Sequence, residues 1–424
     1  MWKRLAWWWK IIKQYLSNCS IHGVRYLVDN RLSYPERLFW LISCILCWYG
    51  CVYMIVNVLR NYIYSPVAVT VETTYVDWET PFPAIVFCVS NTKTMKKDYF
   101  KRNPGMFSNY SNPNLLRATP EELLSAYDKM RYPCMDLLAD CTWNNIKFNC
   151  CSEFQELRKT GVGYCLGMNT YHLGDNSVRY FINRTVKYGD LIIDVHMAAK
   201  SKTFLLTAFS VHVFNNLQMP TFKNLEKDEI HMKAGRTTRI EFTMYDTFNG
   251  AGVENVAVGY RDCRFRHEKR RDSMFTVYSS DTCYLQLIIE RMLELCGCVN
   301  FYYSVPRGAR VCNGTEMLCI IANKAEITAQ SIEGEEECLP NCDGTSLTIN
   351  RWEPHEYDSP GRSYSRLHFT LLSHPTVRYR RYVVNDVLDV IVSVGSAVGL
   401  FMGASIMSIF EIPYWLFIRR DKIA

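Results

Sequence analysis

The chain has 424 residues, with 48 Lys and Arg against 42 Asp and Glu, for a formal net charge of +6. A mean hydropathy of −0.11 excludes a polytopic protein built mostly of membrane helices. Much of the positive excess sits in two short flanks of apolar segments, so no nucleic-acid partner is needed to explain it.

Residues 1–37 read as a cytoplasmic segment. Trp2, Trp7, Trp8 and Trp9 alternate with Lys3, Arg4 and Lys10, a composition suited to the inner leaflet, or equally to a frayed terminus. Residues 38–59 form an uncharged apolar run of 22 residues, enough for a tilted transmembrane helix. The run lies too far from the start for a cleaved signal peptide, and Cys44, Cys47, Cys51 and Tyr53 do not offer a small-residue cleavage site.

The next 327 residues, 60–386, are long enough to bury a core of their own. Thr119-Pro-Glu-Glu122 is a capping box that opens a helix to about Met130. Leu191–Ala198, Phe204–Phe214, Thr238–Tyr245 and Arg366–Leu372 are strand-like in composition or alternation. Asp281 is positioned to cap a second helix, Thr282 to about Leu295, that stops before Gly297. The expectation is a mixed ectodomain with a central sheet and peripheral helices.

Fourteen of the 18 cysteines fall in this segment, which reads as a disulfide framework in an oxidising compartment. Cys296-Gly-Cys298 and Cys338-Leu-Pro-Asn-Cys342 also suggest zinc half-sites, but no His stands beside them at ligand spacing, so no metal is expected. Glycosylation sequons begin at Asn109, Asn183 and Asn313. No hydrolase, P-loop or dinucleotide motif occurs, so an enzyme is not expected, nor is a cofactor. His196 and His212 lie in strand-like runs and read as structural. The acidic run Glu335–Glu337 and the basic run Lys269–Arg271 read as solvated loops, with a regulatory cation or proton site as the rival.

Residues 387–418 form a second apolar run, but one that carries Asp389, Glu411 and glycines at 395, 399 and 403. An ionisable group inside a span costs about 2.5–3.5 kcal/mol on insertion scales and so tends to face protein or water. A plain anchor needs neither the acid nor the glycines, and this segment points to an ion pathway. The glycines at i+4 spacing also read as a close-packing face. Basic residues precede the first run and Arg419, Arg420 and Lys422 follow the second, which puts both termini, 1–37 and 419–424, in the cytoplasm and the cysteine-rich segment outside.

Four local sequences, in order, resemble one family. Ser20-Ile-His-Gly23 is similar to the His-Gly gating motif of the degenerin/epithelial sodium channel family. Pro81-Phe-Pro-Ala-Ile-Val-Phe-Cys88 is similar to its post-span motif. Gly163-Tyr-Cys165 with Met168-Asn169 resembles a degraded form of a further family element, and Gly399-Leu-Phe-Met-Gly-Ala-Ser405 with Glu411 resembles the pore signature. Paired Cys150-Cys151, with Cys141-Thr-Trp143, is most like the arthropod pickpocket branch.

The resemblance implies an α+β membrane protein in which two transmembrane helices flank a disulfide-rich ectodomain, an acid-sensing-channel-like chalice. It implies a plasma-membrane trimer, homomeric or with sister subunits, passing sodium and answering an extracellular ligand or a mechanical stimulus. It implies the pairs Cys88–Cys165, Cys263–Cys342, Cys283–Cys338, Cys296–Cys319 and Cys298–Cys312, and leaves Cys134, Cys141, Cys150 and Cys151 as two bridges of open pairing. A further bridge of acid-sensing members falls on Leu287 and Glu336, so both partners are missing together. The implied sites are Gly403, Ala404 and Ser405 as selectivity filter, Asp389 and Glu411 as pore-lining acids, His22, Gly23, Val392 and Ser393 in gating, and Gly399 in amiloride block. Val392 replaces a small residue and Ser393 an acid, while Tyr414 stands where some members carry a second inner acid, so ordinary proton gating is not expected and a leaky or heteromeric subunit is. The rival readings are a two-span trimeric channel of the ATP-gated type and a membrane-anchored receptor ectodomain without a pore.

Overall fold

A computed structural model describes residues 12–64, 66–73, 78–89, 116–129, 133–157, 162–183, 189–196, 209–221, 235–328, 338–356, 364–373 and 377–418, with a few single positions between them. The N-terminal tryptophan cluster, Asn109 and the acidic run at 335–337 lie outside the described residues. The chain divides into two compact units. One is Val69–Gly250 with Asp262–Arg381, and the other is Met1–Ala68, Ala251–Arg261 and Tyr382–Ala424.

The first unit is built on sheets. Besides a two-residue pair, Thr80–Pro81 with Phe181–Ile182, the strands in chain order are β1 (Val67–Glu72), β2 (Ala84–Val89), β3 (Leu138–Trp143), β4 (Ile146–Phe148), β5 (Gln155–Leu157), β6 (Cys165–Met168), β7 (Leu191–His196), β8 (Phe209–Phe214), β9 (Arg236–Asn249), β10 (Gly344–Glu356), β11 (Tyr364–Leu371) and β12 (Arg378–Val383). The larger sheet runs β1-β12-β9-β11-β7-β3-β4, with β10 also paired to β9. A second sheet runs β8-β2-β6-β5. Strand β9 buries Thr238, Ile240, Phe242 and Met244 at every second position, the period expected of a half-buried strand. Ile240, Phe242 and Met244 join Phe82, Ile85, Phe87, Leu191, Ile193, Leu367 and Phe369 in the main core.

The post-span and Asn169 motifs meet in this core. Cys88 and Cys165 are directly opposite each other in the antiparallel β2–β6 pair and are disulfide-bonded. Asn169, at φ 57°, donates through Nδ2 to the Phe82 carbonyl, while its Oδ1 accepts from the amides of Arg179 (2.8 Å) and Tyr180 (3.1 Å). Asn tolerates this left-handed backbone better than most residues, which suits it to the turn.

The helices follow their caps. Pro120–Lys129 opens with the reciprocal Thr119–Glu122 bonds. The second helix is Ser280–Cys296, two residues earlier than its acid suggests. Ser279 caps it reciprocally with Thr282 (3.1 and 2.8 Å), and Asp281 instead accepts from the Met219 amide (3.2 Å). Gly297 ends it at φ 67°. A second core of Leu285, Ile288, Ile289, Met292, Val299 and Phe301 lies beside it.

Seven disulfides occur. Five are the pairs that the resemblance implies, and the remaining four cysteines join as Cys134–Cys151 and Cys141–Cys150. The zinc half-sites are thereby consumed as disulfides. The basic run is not simply solvated: Lys269 Nζ donates to the Phe275 carbonyl (3.3 Å), and Arg270 meets Asp272 (2.9 Å) and Glu290 (3.3 Å). His212 is fully buried and bonded to Ser210 Oγ at 2.8 Å, and His196 packs on the Tyr364 ring.

Candidate functional site

The second unit holds every residue of the pore and gating motifs. Its longest element is a helix, Tyr34–Tyr64, of 31 residues, about 46 Å at 1.5 Å per residue. Ser33 starts it, since both its amide (2.8 Å) and its hydroxyl (2.9 Å) donate to Glu36. This helix is long and apolar enough to cross a membrane.

The second apolar run is not one helix. Val387–Met402 and Ile406–Pro413 are helical and bent by 71° at residues 403–405; taken together, the pair is long and apolar enough to count as a second, broken span. The cause is local. Gly403 takes φ 63° and donates its amide to Gly399 O (2.9 Å), a left-handed helix end that favours glycine. Ser405 is extended and its amide donates to Ser408 Oγ (3.0 Å), which starts the next helix. A turn of π-helix, Tyr414–Ile418, follows.

The segment Cys19–Gly23 fills the break. The His22 amide donates to Met402 O at 2.8 Å, satisfying one of the carbonyls orphaned at the helix end. The His22 imidazole covers Gly403 so closely that a Cβ there would collide with Nδ1. Gly23 has φ 81°, and a Cβ on it would lie 2.7 Å from Cys44 Sγ of the long helix. Tyr26 stacks on Trp40 of that helix with centroids 4.3 Å apart. Ser20 Oγ lies 2.6 Å from Ser408 Oγ, and the Ser20 amide (3.3 Å) and hydroxyl (3.2 Å) both donate to Glu411 Oε2. Thus His22, Gly23, Gly403, Ser405 and Glu411 are brought together.

Asp389, Val392 and Ser393 stand apart from this cluster, while Gly399 borders it through its carbonyl. Asp389 closes a capping box at the start of its helix, its carboxylate accepting from the Asp386 amide at 3.0 Å. Val392 is 57% exposed and Ser393 half-buried. A Cβ on Gly395 would meet nothing within 4 Å, and one on Gly399 would only reach Ala404 O at 3.8 Å. The glycine stripe is therefore not the face on which this chain packs its own helices. That close approach is made at Gly50, where a Cβ would lie 2.8 Å from the Phe401 ring. Sequence reasoning missed Gly50, and it missed Ser20 and Ser408 as partners of Glu411. The Ser405-x-x-Ser408 spacing is a cap signal that was available.

The sheet-built unit carries a separate cavity of about 890 Å³, lined in part by Asn215, Gln218, Asp281, Tyr284, Asp343 and Arg381. Burial pushes the Asp343 carboxyl up against the opposing pull of the Asn249 amide, and burial pushes the Arg381 guanidinium down.

The features to be compared are thus an apolar helix broken at Gly-Ala-Ser, a His-Gly loop filling the break, and a disulfide-stapled domain. The model of the amiloride-sensitive sodium channel family matches residues 15–415, and the chain belongs to that family. The family are ion channels, and its members are sodium channel subunits of the membrane. Sodium channel protein Nach of Drosophila virilis is 24% identical over 312 residues, 70% of this chain and 80% of its own. The Drosophila melanogaster Nach is 22% identical across 96% of this chain and 87% of its own, and pickpocket protein 28 of that species is 22% identical across 96% and 78%. These relatives agree with the pickpocket branch of the degenerin/epithelial sodium channel family. A cryo-EM structure of a proton-activated chloride channel aligns over 90% of the chain and 96% of its own at 8% identity, with a TM-score of 0.24, too low to compare folds.

Proposed function

We propose that the chain is one subunit of a trimeric, sodium-selective channel of the plasma membrane, crossing twice with both termini cytoplasmic and residues 60–386 outside. The observation that carries the reading is the break at Gly403–Ser405 in an otherwise apolar helix, where backbone groups leave the helical ladder in a segment that would lie at membrane depth. Irregular backbone is tolerated there only against protein or a water-filled path. Three subunits would set Gly403, Ala404 and Ser405 around a partly dehydrated cation. Glu411 would supply negative charge on the cytoplasmic side and Asp389 at the outer mouth. Gly399 would be the amiloride contact, and Val392 with Ser393 the gate, biased open by the bulk of Val392. The stimulus would be a ligand or a mechanical one in an arthropod sensory setting, and the 890 Å³ ectodomain cavity is the place to look for the ligand.

Recording from cells that express the chain alone and with sister subunits tests this. A sodium-dependent inward current that vanishes when sodium is replaced by a large organic cation is expected, with amiloride block. Glu411→Gln should lower cation conductance while surface expression persists. Surface protein without any cation current, alone or in combination, would sink the reading in favour of a receptor.

A further inference from the structure

We infer that the outer edge of strand β10 is a docking site for a short extended peptide, which joins the large sheet as one more strand. The inference rests on the reading above in taking the 890 Å³ cavity as the ligand site. Six successive residues of β10, Gly344 to Ile349, line that cavity. A strand shows only every second side chain to one face, so a cavity that touches six in a row lies against the strand's edge. Among the described residues β10 pairs with β9 alone, and a bulge at Asn350 interrupts that pairing.

Two separate bonds fix which groups point outward. The Leu372 amide donates to Phe242 O at 2.9 Å, so Phe242 turns its backbone toward β11 and away from β10. Asn215 Nδ2 donates to Thr345 O at 2.6 Å, so Thr345 turns its carbonyl away from β9. Phe242 stands opposite Ile349, and Asp246 opposite Thr345. Opposed residues of an antiparallel pair alternate between bonded and non-bonded, and both observations give the same phase. Thr345, Leu347 and Ile349 therefore aim N–H and C=O out from the edge, whereas Ser346 and Thr348 spend theirs on β9. Among the described residues, no backbone group meets the outward groups of Leu347 and Ile349. The Asn215 side chain is itself an amide donor seated on this edge. Gly344 makes room for it, since a Cβ there would lie 2.8 Å from Asn215 Nδ2. Leu347 and Ile349 pack their side chains on the main core, which holds the edge in place.

An extended backbone is the ligand that matches such an edge, because it offers N–H and C=O at the same two-residue repeat. The three outward positions span about 14 Å of strand, which sets the length as short. Side-chain choice falls to Asp281, which lines the cavity from the first turn of the helix Ser280–Cys296. Its Oδ2 takes the Met219 amide, and a carboxylate has further acceptor positions, so a basic side chain of the peptide fits beside it. Asp343, the other acid of the cavity, stands in the field of Arg266, His267 and Arg381, which answer its charge from within the fold.

Changes to the peptide backbone test the ladder without disturbing the protein's own fold. The probe is a decapeptide of alternating valine and threonine with one central lysine. In the full-length, detergent-solubilised protein without peptide, hydrogen exchange should be faster at the Leu347 and Ile349 amides than at those of Ser346 and Thr348. The probe at about 1 mM should slow the first pair. N-methylation of one alternate set of probe amides should abolish binding and methylation of the other set should spare it, since only one set faces β10. Replacing the lysine by norleucine should weaken binding by a factor of about ten, and Asp281→Asn, which keeps an acceptor for the Met219 amide, should erase that difference. Protection of Leu347 and Ile349 before any peptide is added, no slowing with the probe, or equal effects of the two methylated sets overturns the docking edge. A lysine preference that survives Asp281→Asn overturns the part given to Asp281. Whole-cell recording keeps the two readings apart. Sodium current from a protein that fails these tests overturns the docking edge and leaves the channel reading intact. Peptide binding by a chain that passes no cation current in any combination does the reverse.

Discussion

The two units of this chain are held together in different ways. The sheet-built unit is over-determined: seven disulfides, three apolar clusters and paired strands all impose the same arrangement. The unit with the broken helix has no disulfide among its described residues; non-covalent contacts join it, among them the Gly50–Phe401 approach, the Tyr26–Trp40 stack, the His22 amide on Met402 O and the Ser20–Ser408 pair. Redundancy of this kind keeps a domain folded when any one contact is lost. Contacts without covalent links can break and re-form, so this unit keeps a freedom that the cross-linked unit lacks.

The largest effect should come from stripping redundancy from the first unit. Cys88–Cys165 closes a separation of 77 residues, whereas Cys141–Cys150 closes only 9. Removing a native disulfide from a small secreted domain costs about 2–5 kcal/mol, more for longer loops in the chain-entropy model. Cys88→Ala with Cys165→Ala should abolish surface delivery at 37 °C, and Cys141→Ala with Cys150→Ala should reduce it less. Surface biotinylation reads both. Equal losses would mean that local packing, not loop closure, decides stability here.

In the other unit a single methyl group should suffice to stop function. Gly403→Ala forces a side chain into a left-handed backbone position, worth about 1–2 kcal/mol, and drives it into the His22 ring. The expected outcome is normal surface expression with current lost or its ion selectivity collapsed. Gly395→Ala, where a Cβ would meet nothing within this chain, is the matched control; an equal loss there would assign that position to a contact between subunits.

These two experiments also mark what the sequence made legible. Cysteine counting predicts a stapled domain because disulfides are a property of composition and compartment. The alternation in Thr238–Tyr245 finds a strand because burial on one face imposes period 2. The break at Gly403-Ala404-Ser405 is legible because a helix end needs a left-handed residue and a new start needs a cap. Partners across long separations are not: Ser20 and Glu411 are 391 positions apart, and nothing local in either says that they touch. The shift of the helix cap from Asp281 to Ser279 is a smaller miss of the same sort, because Asp281 is drawn off by the amide of Met219, 62 positions away.

Acid gives a third way to separate the units. Burial lowers the pKa of His172 to about 4 from 6.5, while its Nε2 meets Leu217 O at 2.8 Å. The unfolded chain therefore takes up this proton first, and the stability that neutral His172 allows is present above about 6.5 and lost as pH falls through about 4. The thermal unfolding temperature of the disulfide-stapled unit in the full-length, detergent-solubilised protein should decline over that window. His172→Gln, which keeps a donor for Leu217 O, should flatten the decline. An unchanged slope would remove His172 as the titrating group.

The smallest expected effect concerns Asp389, for which two roles compete. Its carboxylate accepts from the Asp386 amide at 3.0 Å, a helix-capping bond worth about 0.5–2 kcal/mol when lost altogether. The proposed second role is to concentrate cations at an outer mouth, which depends on charge and not on the acceptor. Asp389→Asn separates them, because asparagine keeps the acceptor and discards the charge. If capping is the whole role, unitary conductance stays the same at every ionic strength. If the charge also gathers cations, conductance falls at low salt and recovers as salt rises, since screening shortens the reach of an exposed charge to about 10 Å at 0.1 M. A loss that persists at high salt fits neither role and would mean that the helix start itself has moved.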